Sequence, residues 1–560
     1  MPPRVLLVYA NPAITATPVP PYGMEKVAQA FRLAGCEAIM LAPFIEADPL
    51  ATLREALSPL PDLVGFSVRN IDDALVVRSE LGPGDIDTCF YLDQVRPLVS
   101  AALAAVGPGR VILGGAALGS GPRPVLEFLG ADIGISGPAE DLCYWIGRAL
   151  ARGEGVVLPQ DPRVIRPGGD PAQPHATPRR PRGFASAWRP PPTPTPRMGP
   201  YLRLTQIRGG RVPVQIAAGC DRRCTFCVEA RFTGYQVMPR PAAQVAAEIS
   251  ALKAAGVSRV WLATSELNAP TARHGVEVLK SIQHLNVEYQ TFIQVAPVDD
   301  DLLDAIEAAG IDPTALSYEF GHFDDRVLRA GGGPANRAAI DRLVNLYLKR
   351  GYRTLGGSII LGAHWLEREE TLRAAVEAAL EIDAALPDGL GLSYATGGRV
   401  YPETALADWI SANRDEARPS LYGAEDWSFV RPVIFSRPMA PRRLMAWLKG
   451  QLQGARGHMG PMNTEAPADP RQLAAEALVN RGIWRIAEDL PERGRADLEE
   501  ALSLWPEHLE AMAQLALVQA NQLGDRAGAG KTLARLLRAM GPGDARRVEI
   551  QAALDALAVS

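Results

Sequence analysis

The chain has 560 residues, 47% hydrophobic and 22% charged, with a formal net charge of −5. At roughly 150 residues per domain this is about three or four folded domains, which excludes wholesale disorder, collagen-like repeats and a global basic field for nucleic acid. Six cysteines exclude a disulfide framework, and no apolar run reaches the ~18 residues a membrane helix needs, so the expected location is the cytoplasm.

Residues 1–155 alternate apolar runs with amphipathic stretches. The strand-like runs are RVLLVYA (4–10), EAIMLA (37–42), DLVGFSV (62–68), RVILGG (110–115) and ADIGIS (131–136). Strand–helix units of this period predict a doubly wound, Rossmann-like α/β domain whose ligand lies beyond the C-terminal strand ends. The loops there include SVRNIDD, GGAALGSG and SGPAE.

Thirteen prolines between Pro159 and Pro200 predict a stiff linker over 156–200. Over 201–410 six further strand–helix units, from VPVQIAA (212–218) to GLGLSYAT (389–396), predict a partial (β/α)6 barrel. Residues 411–470, rich in Trp, Arg and Pro, carry no assignable pattern. From 471 to 560 the chain is helical, and two segments closed by Pro506 and Pro542 are spaced like tetratricopeptide units. A generic helical cap is the alternative.

The sharpest motif is AAGCDRRCTFCVEARF, with Cys220, Cys224 and Cys227 spaced CxxxCxxC. A structural zinc ion needs a fourth ligand, and no second cysteine or histidine pair lies nearby. Three thiolates leave one iron of a [4Fe–4S] cluster open. The motif, following an apolar strand at the start of a barrel-like domain, resembles that of radical S-adenosylmethionine (SAM) enzymes, and Phe226 before the third cysteine fits it. The resemblance implies that the methionyl group of SAM closes the open iron. It also implies SAM contacts from Glu266 and Asn268 in RVWLATSELN, from Glu319 at the fourth strand end and from Gly362 at the fifth. Glu266 is additionally a candidate to reach the cluster iron. YPETAL (401–406), with Arg399 before it, resembles a segment of the cobalamin-binding branch of that family.

The first domain resembles the cobalamin-binding domain of the same branch in SVRNIDD, ILGGAA and ISGPAEDL. This implies cofactor contacts from Ser67, Arg69, Asn70, Gly114, Gly115 and Gly137. The rival dinucleotide site lacks its GxGxxG after the first strand. None of the seven histidines falls within 1–155, so this domain offers no axial imidazole. Arg69, which has no lone pair to donate, is the candidate to lie beneath the corrin and keep that face free of a ligand. His322 and His364 fall at barrel strand ends as candidate general bases, with a local loop hydrogen bond as the plainer reading.

The resemblance implies a cobalamin-dependent radical SAM enzyme that moves a methyl group from methylcobalamin to an unactivated carbon of a small molecule or peptide. It implies an external electron donor and no membrane or nucleic-acid partner. Three alternatives stand beside it. One is the tryptophan 2-C-methylating layout of the branch, in which SAM forms no radical. Another is rearrangement or cyclisation without methylation. The last is a binding protein whose terminal helices recruit a partner.

Overall fold

The computed structural model describes residues 1–12, 19–77, 84–167, 199–230, 234–269, 271–333, 335–462 and 469–559. The first sheet is built on β1 (Arg4–Ala10), whose residues Val5 to Ala10 are all buried. Leu7 packs with Phe31 and Ile146 of the helices Tyr22–Leu33 and Glu140–Ala151, whereas Leu6 and Val8 pack with Leu53, Val95 and Val125 on the other side. Burial on both faces explains why this strand reads as a continuous apolar run rather than an alternation.

The sheet order is β2 (Glu37–Leu41), β1, β3 (Leu63–Val68), β4 (Val111–Gly114), β5 (Gly134–Ile135), β6 (Val164–Ile165). All pairs are parallel except the last, in which Gly134 faces Ile165. β6 lies where the proline content predicts linker. It is held by Arg163, whose guanidinium bridges buried Asp141 at 2.7 Å and Asp161 at 2.8 Å. The rest of the expected linker, 168–198, lies outside the described residues, and Gly199–Ile207 is helix.

The second α/β region opens with β7 (Val212–Gln215), followed by a short antiparallel pair, β8 (Ala217–Ala218) with β9 (Met238–Pro239). Beyond it run β10 (Arg259–Ala263), β11 (Glu288–Gln290), β12 (Ile293–Gln294), β13 (Ser317–Gly321), β14 (Leu355–Leu361) and β15 (Leu390–Thr396). These form two parallel sheets, β11-β10-β7 and the one starting β12-β13-β14-β15. They meet within the predicted strand 288–295, which Thr291 interrupts by donating its hydroxyl to the Leu262 carbonyl at 3.1 Å.

Residues 411–470, unassigned from sequence, complete this region. β16 (Gly398–Arg399) and β17 (Leu421–Gly423) flank β18 (Val433–Phe435), and β19 (Met459–Pro461) joins β15 as a further parallel strand. Six predicted barrel strands therefore gain one that propensity does not announce. Asp383 holds it in register, accepting from the backbone of Leu390, Arg456 and Gly457 at 2.7–2.9 Å.

The C-terminal helices begin with Pro470–Ala487 and Pro491–Leu504 and stack in chain order to Arg547–Val559. Trp484 sits edge-on to Tyr201 at 4.5 Å, and Arg485 reaches Glu46 of the first domain at 2.7 Å. Among the described residues no helix is long and apolar enough to cross a membrane.

Candidate functional site

The cysteine loop spans the β8–β9 hairpin. The Cys220 N–H donates to the Gly234 carbonyl, Thr225 N–H to Gly331, and Leu406 N–H to Thr225. The loop is thus tied to the barrel helix following β13 and to the YPETAL segment. Cys220, Cys224 and Cys227 line one cavity of about 550 Å³ with Glu266, Glu319, His322 and His364. Burial raises all three thiols, Cys224 to about 12 and Cys227 to about 11; the charges of Cys227 and Cys220 raise Cys224 further. Three thiolates together, one buried and two partly buried, therefore require positive charge among them.

Glu266, just past β10, has its Oε2 buried without a hydrogen-bond partner. Burial, then the neighbouring Glu319, pushes its carboxyl up to about 8. Burial also raises Glu319, against a hydrogen bond from the Ser358 hydroxyl. Asn268, expected beside Glu266 as a SAM contact, does not line the cavity. Its amide donates to the Gln294 and Pro297 carbonyls at 3.0 and 2.8 Å and accepts from the Gln294 N–H at 3.0 Å. It braces β12 against the Glu266 loop. Gly362 also stays behind the wall: it adopts φ +85° and donates its N–H to Glu367 at 2.6 Å, while Ile360, Ala363 and His364 face the cavity.

Both histidines make the local loop hydrogen bond that is the plainer sequence reading. His322 Nδ1 accepts the Asp324 N–H at 2.8 Å, and His364 Nδ1 accepts the Leu366 N–H at 3.1 Å. With Nδ1 occupied as an acceptor, the neutral ring carries its hydrogen on Nε2 and presents a donor. Both Nε2 atoms are buried without a hydrogen-bond partner, and burial holds His364 below its usual range. Glu367, fully buried and absent from the sequence expectations, organises this end. It accepts from Gly362 and His364 N–H groups and lies 3.6 Å from His322 Nε2. Its signal in the sequence was a glutamate at the start of a helical run, which periodicity reads as a surface position.

A second cavity of about 490 Å³ lies between the C-terminal ends of β1, β3, β4 and β5 and the barrel residues Gln215, Gly219 and Trp261. Ser67, Arg69, Gly114, Gly115 and Gly137 line it; Asn70 does not. Gly115 has φ +94°, and a Cβ there would fall 2.8 Å from the Val68 nitrogen and closer still to its carbonyl oxygen. Gly114 is different. A Cβ there would meet protein atoms only at 3.8 Å, so packing within the chain does not demand a glycine at this cavity-lining position. The two cavities share Glu229, Thr264 and Ser265.

The domains are locked at this seam. Asp72, three residues beyond Arg69, is fully buried and accepts from Arg399 Nε at 2.7 Å and the Tyr401 hydroxyl at 3.1 Å. Arg399 also donates to the Phe429 and Val430 carbonyls at 3.0 and 2.7 Å, so every side of this buried pair is hydrogen-bonded. Lys26 adds a bond to Gln215 at 3.1 Å.

Among known proteins, the profile of the Radical SAM superfamily matches residues 214–375. The tryptophan 2-C-methyltransferase of Streptomyces laurentii is 25% identical over 485 residues, covering 76% of this chain and 78% of its own. The structure of the radical SAM methyltransferase TsrM from Kitasatospora setae, with cobalamin and a [4Fe–4S] cluster bound, superposes with a TM-score of 0.65 at 22% identity, covering 90% of this chain and all of that one. The cobalamin-dependent SAM radical enzyme OxsB superposes with a TM-score of 0.56 at 10% identity, covering 99% and 80%. Residues 214–375 are a radical SAM domain, and the chain as a whole has the fold of the cobalamin-binding members of that family.

Proposed function

We propose that this protein is a cobalamin-dependent radical SAM methyltransferase whose substrate is held at the seam between the two cavities. The observation that carries the reading is the contact of those cavities across Glu229, Thr264 and Ser265. One is lined by three thiols that require positive charge, the other by a glycine cradle at sheet ends. Among the described residues no three acidic, histidine or cysteine side chains are close enough to hold a single metal ion. A cluster that presents a separate iron to each thiolate fits that donor set better than zinc.

When bound, the cluster and SAM would supply reductive cleavage to a radical, and cobalamin the transferable methyl group. Cys220, Cys224 and Cys227 would hold the cluster. Glu266 and Glu319 would face the cationic methionyl end of SAM, which offsets the burial that raises both carboxyls. His322 and His364 would offer N–H donors to an acceptor on a bound ligand. At the seam, Ser265 donates to the Gly219 carbonyl at 3.0 Å and Thr264 to the Glu266 carbonyl at 3.2 Å. Their hydrogens are spent, so only hydroxyl lone pairs face a substrate.

A second reading narrows the substrate to a planar aromatic such as tryptophan, methylated without radical formation. The aromatic side chains at the cavity support it: Phe292 and Tyr235 are 46% and 37% exposed, and Arg223 lies 4.7 Å over the Tyr235 ring. The Kitasatospora protein has been solved with tryptophan and a SAM analogue. The C-terminal helices, welded to both domains through Trp484 and Arg485, act in this reading as a cap rather than a recruiting arm.

Anaerobic purification with cobalamin supplied, followed by iron, sulfide and corrinoid quantitation and assay with SAM and tryptophan, tests both readings. A product heavier by one methylene supports methyl transfer. Turnover with unchanged mass would replace it by rearrangement, and zinc in place of iron would sink both. Release of 5′-deoxyadenosine with the product separates radical from non-radical chemistry.

A further inference from the structure

The two cavities meet along one edge, and the chemistry of that edge is one-sided. Glu229, Thr264 and Ser265 line both of them. Thr264 and Ser265 follow directly on β10. Glu229 stands two residues after Cys227 and donates its backbone N–H to that Sγ at 3.4 Å, so its position follows the cysteine loop.

An ionised carboxylate only accepts hydrogen bonds, and a hydroxyl has one hydrogen and two lone pairs. The Thr264 hydrogen goes to the Glu266 carbonyl at 3.2 Å and the Ser265 hydrogen to the Gly219 carbonyl at 3.0 Å. All three side chains therefore present acceptors to a ligand at this edge. A ligand carboxylate, phosphate or carbonyl would meet them lone pair to lone pair. An ammonium group carries three N–H donors and no acceptor, which matches three acceptors and adds the attraction of a cation for Glu229.

The wall beside this edge is aromatic. Trp261 of β10 lines the first-domain cavity and Phe292 lines the cysteine cavity, and their rings meet edge-on at 4.7 Å. Phe292 is 46% exposed, so it leaves uncovered apolar surface there. A flat apolar group can lie against this wall while a short chain carries an amine to the acceptors.

We propose that this edge is an ammonium site, at which Glu229, with the lone pairs of Thr264 and Ser265, selects an aromatic substrate that bears a primary amine. The proposal rests on the reading that the substrate lies between the two cavities, and it adds the group by which that substrate is chosen. Glu229 acts by charge and hydrogen bonding, and no proton moves.

The test uses the full chain carrying cluster and cobalamin, with S-adenosylhomocysteine in place of SAM so that no methyl group is transferred. Three indoles are titrated anaerobically: tryptophan, with amine and carboxylate; tryptamine, with the amine only; and indole-3-propionate, with the carboxylate only. Wild type should bind tryptophan and tryptamine about tenfold or more tightly than indole-3-propionate. Glu229→Gln keeps the shape and removes the charge. It should weaken both amines by about tenfold to a hundredfold, the range of a hydrogen bond to a charged group, and leave indole-3-propionate unchanged. Equal loss of affinity for all three would mean a reshaped edge and overturns the proposal. Unchanged affinity of this variant for the amines overturns it too, as does a wild-type preference for indole-3-propionate over tryptamine. A fully loaded wild type that binds none of the three does the same. Wild type that lacks iron or corrinoid fails earlier: it removes the reading of the two cavities, and the amine site with it. Should Glu229→Gln lose its cluster, Thr264→Val, isosteric and outside the cysteine loop, removes one acceptor. It should weaken the amines several-fold with indole-3-propionate unchanged, and unweakened amines there overturn the proposal.

Discussion

The two cavities touch, yet their walls follow opposite rules. Around the cysteines the polar groups are unfinished: a Glu266 oxygen and two imidazole nitrogens are buried without a hydrogen-bond partner beside three thiols whose pKa is raised by burial. Around the first-domain cavity Tyr9 is bonded to Val19 and Asn11, although the Tyr22 hydroxyl is buried without a partner, and Gly114, Gly115 and Gly137 leave backbone at the wall. The difference teaches what each wall is for. Unfinished groups await a charged or coordinating ligand that completes them, whereas a wall of backbone and glycine selects by shape. A ligand of the first kind is lost with one side chain; one of the second kind is lost with one methyl group.

The largest expected break in that comparison is Cys224→Ala. Iron and sulfide should fall to background and activity by at least ~1,000-fold, because a cluster with one thiolate missing has two open corners. Corrinoid binding should persist, since no cysteine of the motif lines the first-domain cavity. Loss of both cofactors together would mean that the two walls are one site.

Next in size is Asp72→Ala, which strikes the joint between them. Removing one member of a fully buried, hydrogen-bonded ion pair costs ~3–5 kcal/mol. The Arg399 charge would be left among carbonyls, and the Tyr401 hydroxyl would lose its acceptor. Chemical denaturation should show that loss. Arg399→Met should recover part of it in the Asp72→Ala background by removing the stranded charge.

How far this molecule is legible in its sequence follows the same division. The cysteine loop is read from local spacing, because its three sulfurs lie within eight residues. The β-strands of the first sheet are read because burial on both faces leaves only apolar residues, as in Val5 to Ala10. β6 and β19 escaped notice because neither is driven by a pattern: each is a short strand held by a carboxylate, Asp141 through Arg163 and Asp383 through backbone N–H groups. The pair Asp72–Arg399 joins positions 327 residues apart, and no periodicity carries that information. Asn268 and the histidine rings look like ligands and bases in one dimension. Only the geometry shows that the amide is spent on backbone and that both Nδ1 atoms are already acceptors.

Gly114 and Gly115 make the shape rule testable within adjacent residues. Gly115→Ala should lower both thermal stability and corrinoid affinity, because the backbone at φ +94° and the Val68 carbonyl reject a Cβ whatever is bound. Gly114→Ala should leave the melting temperature within a degree or two, since protein atoms lie 3.8 Å away. Its corrinoid affinity should still fall by about tenfold, the ~1.4 kcal/mol of a poorly relieved contact. Unchanged affinity would show that this wall is not a contact surface.

The smallest effect separates site carboxylates from structural ones. Glu266 and Glu319 are pushed up, whereas Asp383, though burial pushes it upward, is held below the ordinary aspartate range by the backbone N–H groups of Arg456, Leu390 and Gly457. A carboxyl whose folded value is depressed stabilises the fold at every pH above its unfolded value of 3.8, and that contribution is lost as pH falls through the folded value. The wild-type melting temperature should therefore drop on acidification below about pH 4, partly through Asp383. Asp383→Asn turns an NH2 group toward backbone donors and should cost ~1–3 kcal/mol at pH 7. It should flatten that acid limb while leaving iron and corrinoid content as in wild type, because Asp383 lines neither cavity. An unaltered acid limb in this variant would move the titration to another group. A change in cofactor content would show that the register of β19 reaches the site, so that the two kinds of wall depend on one another through the barrel.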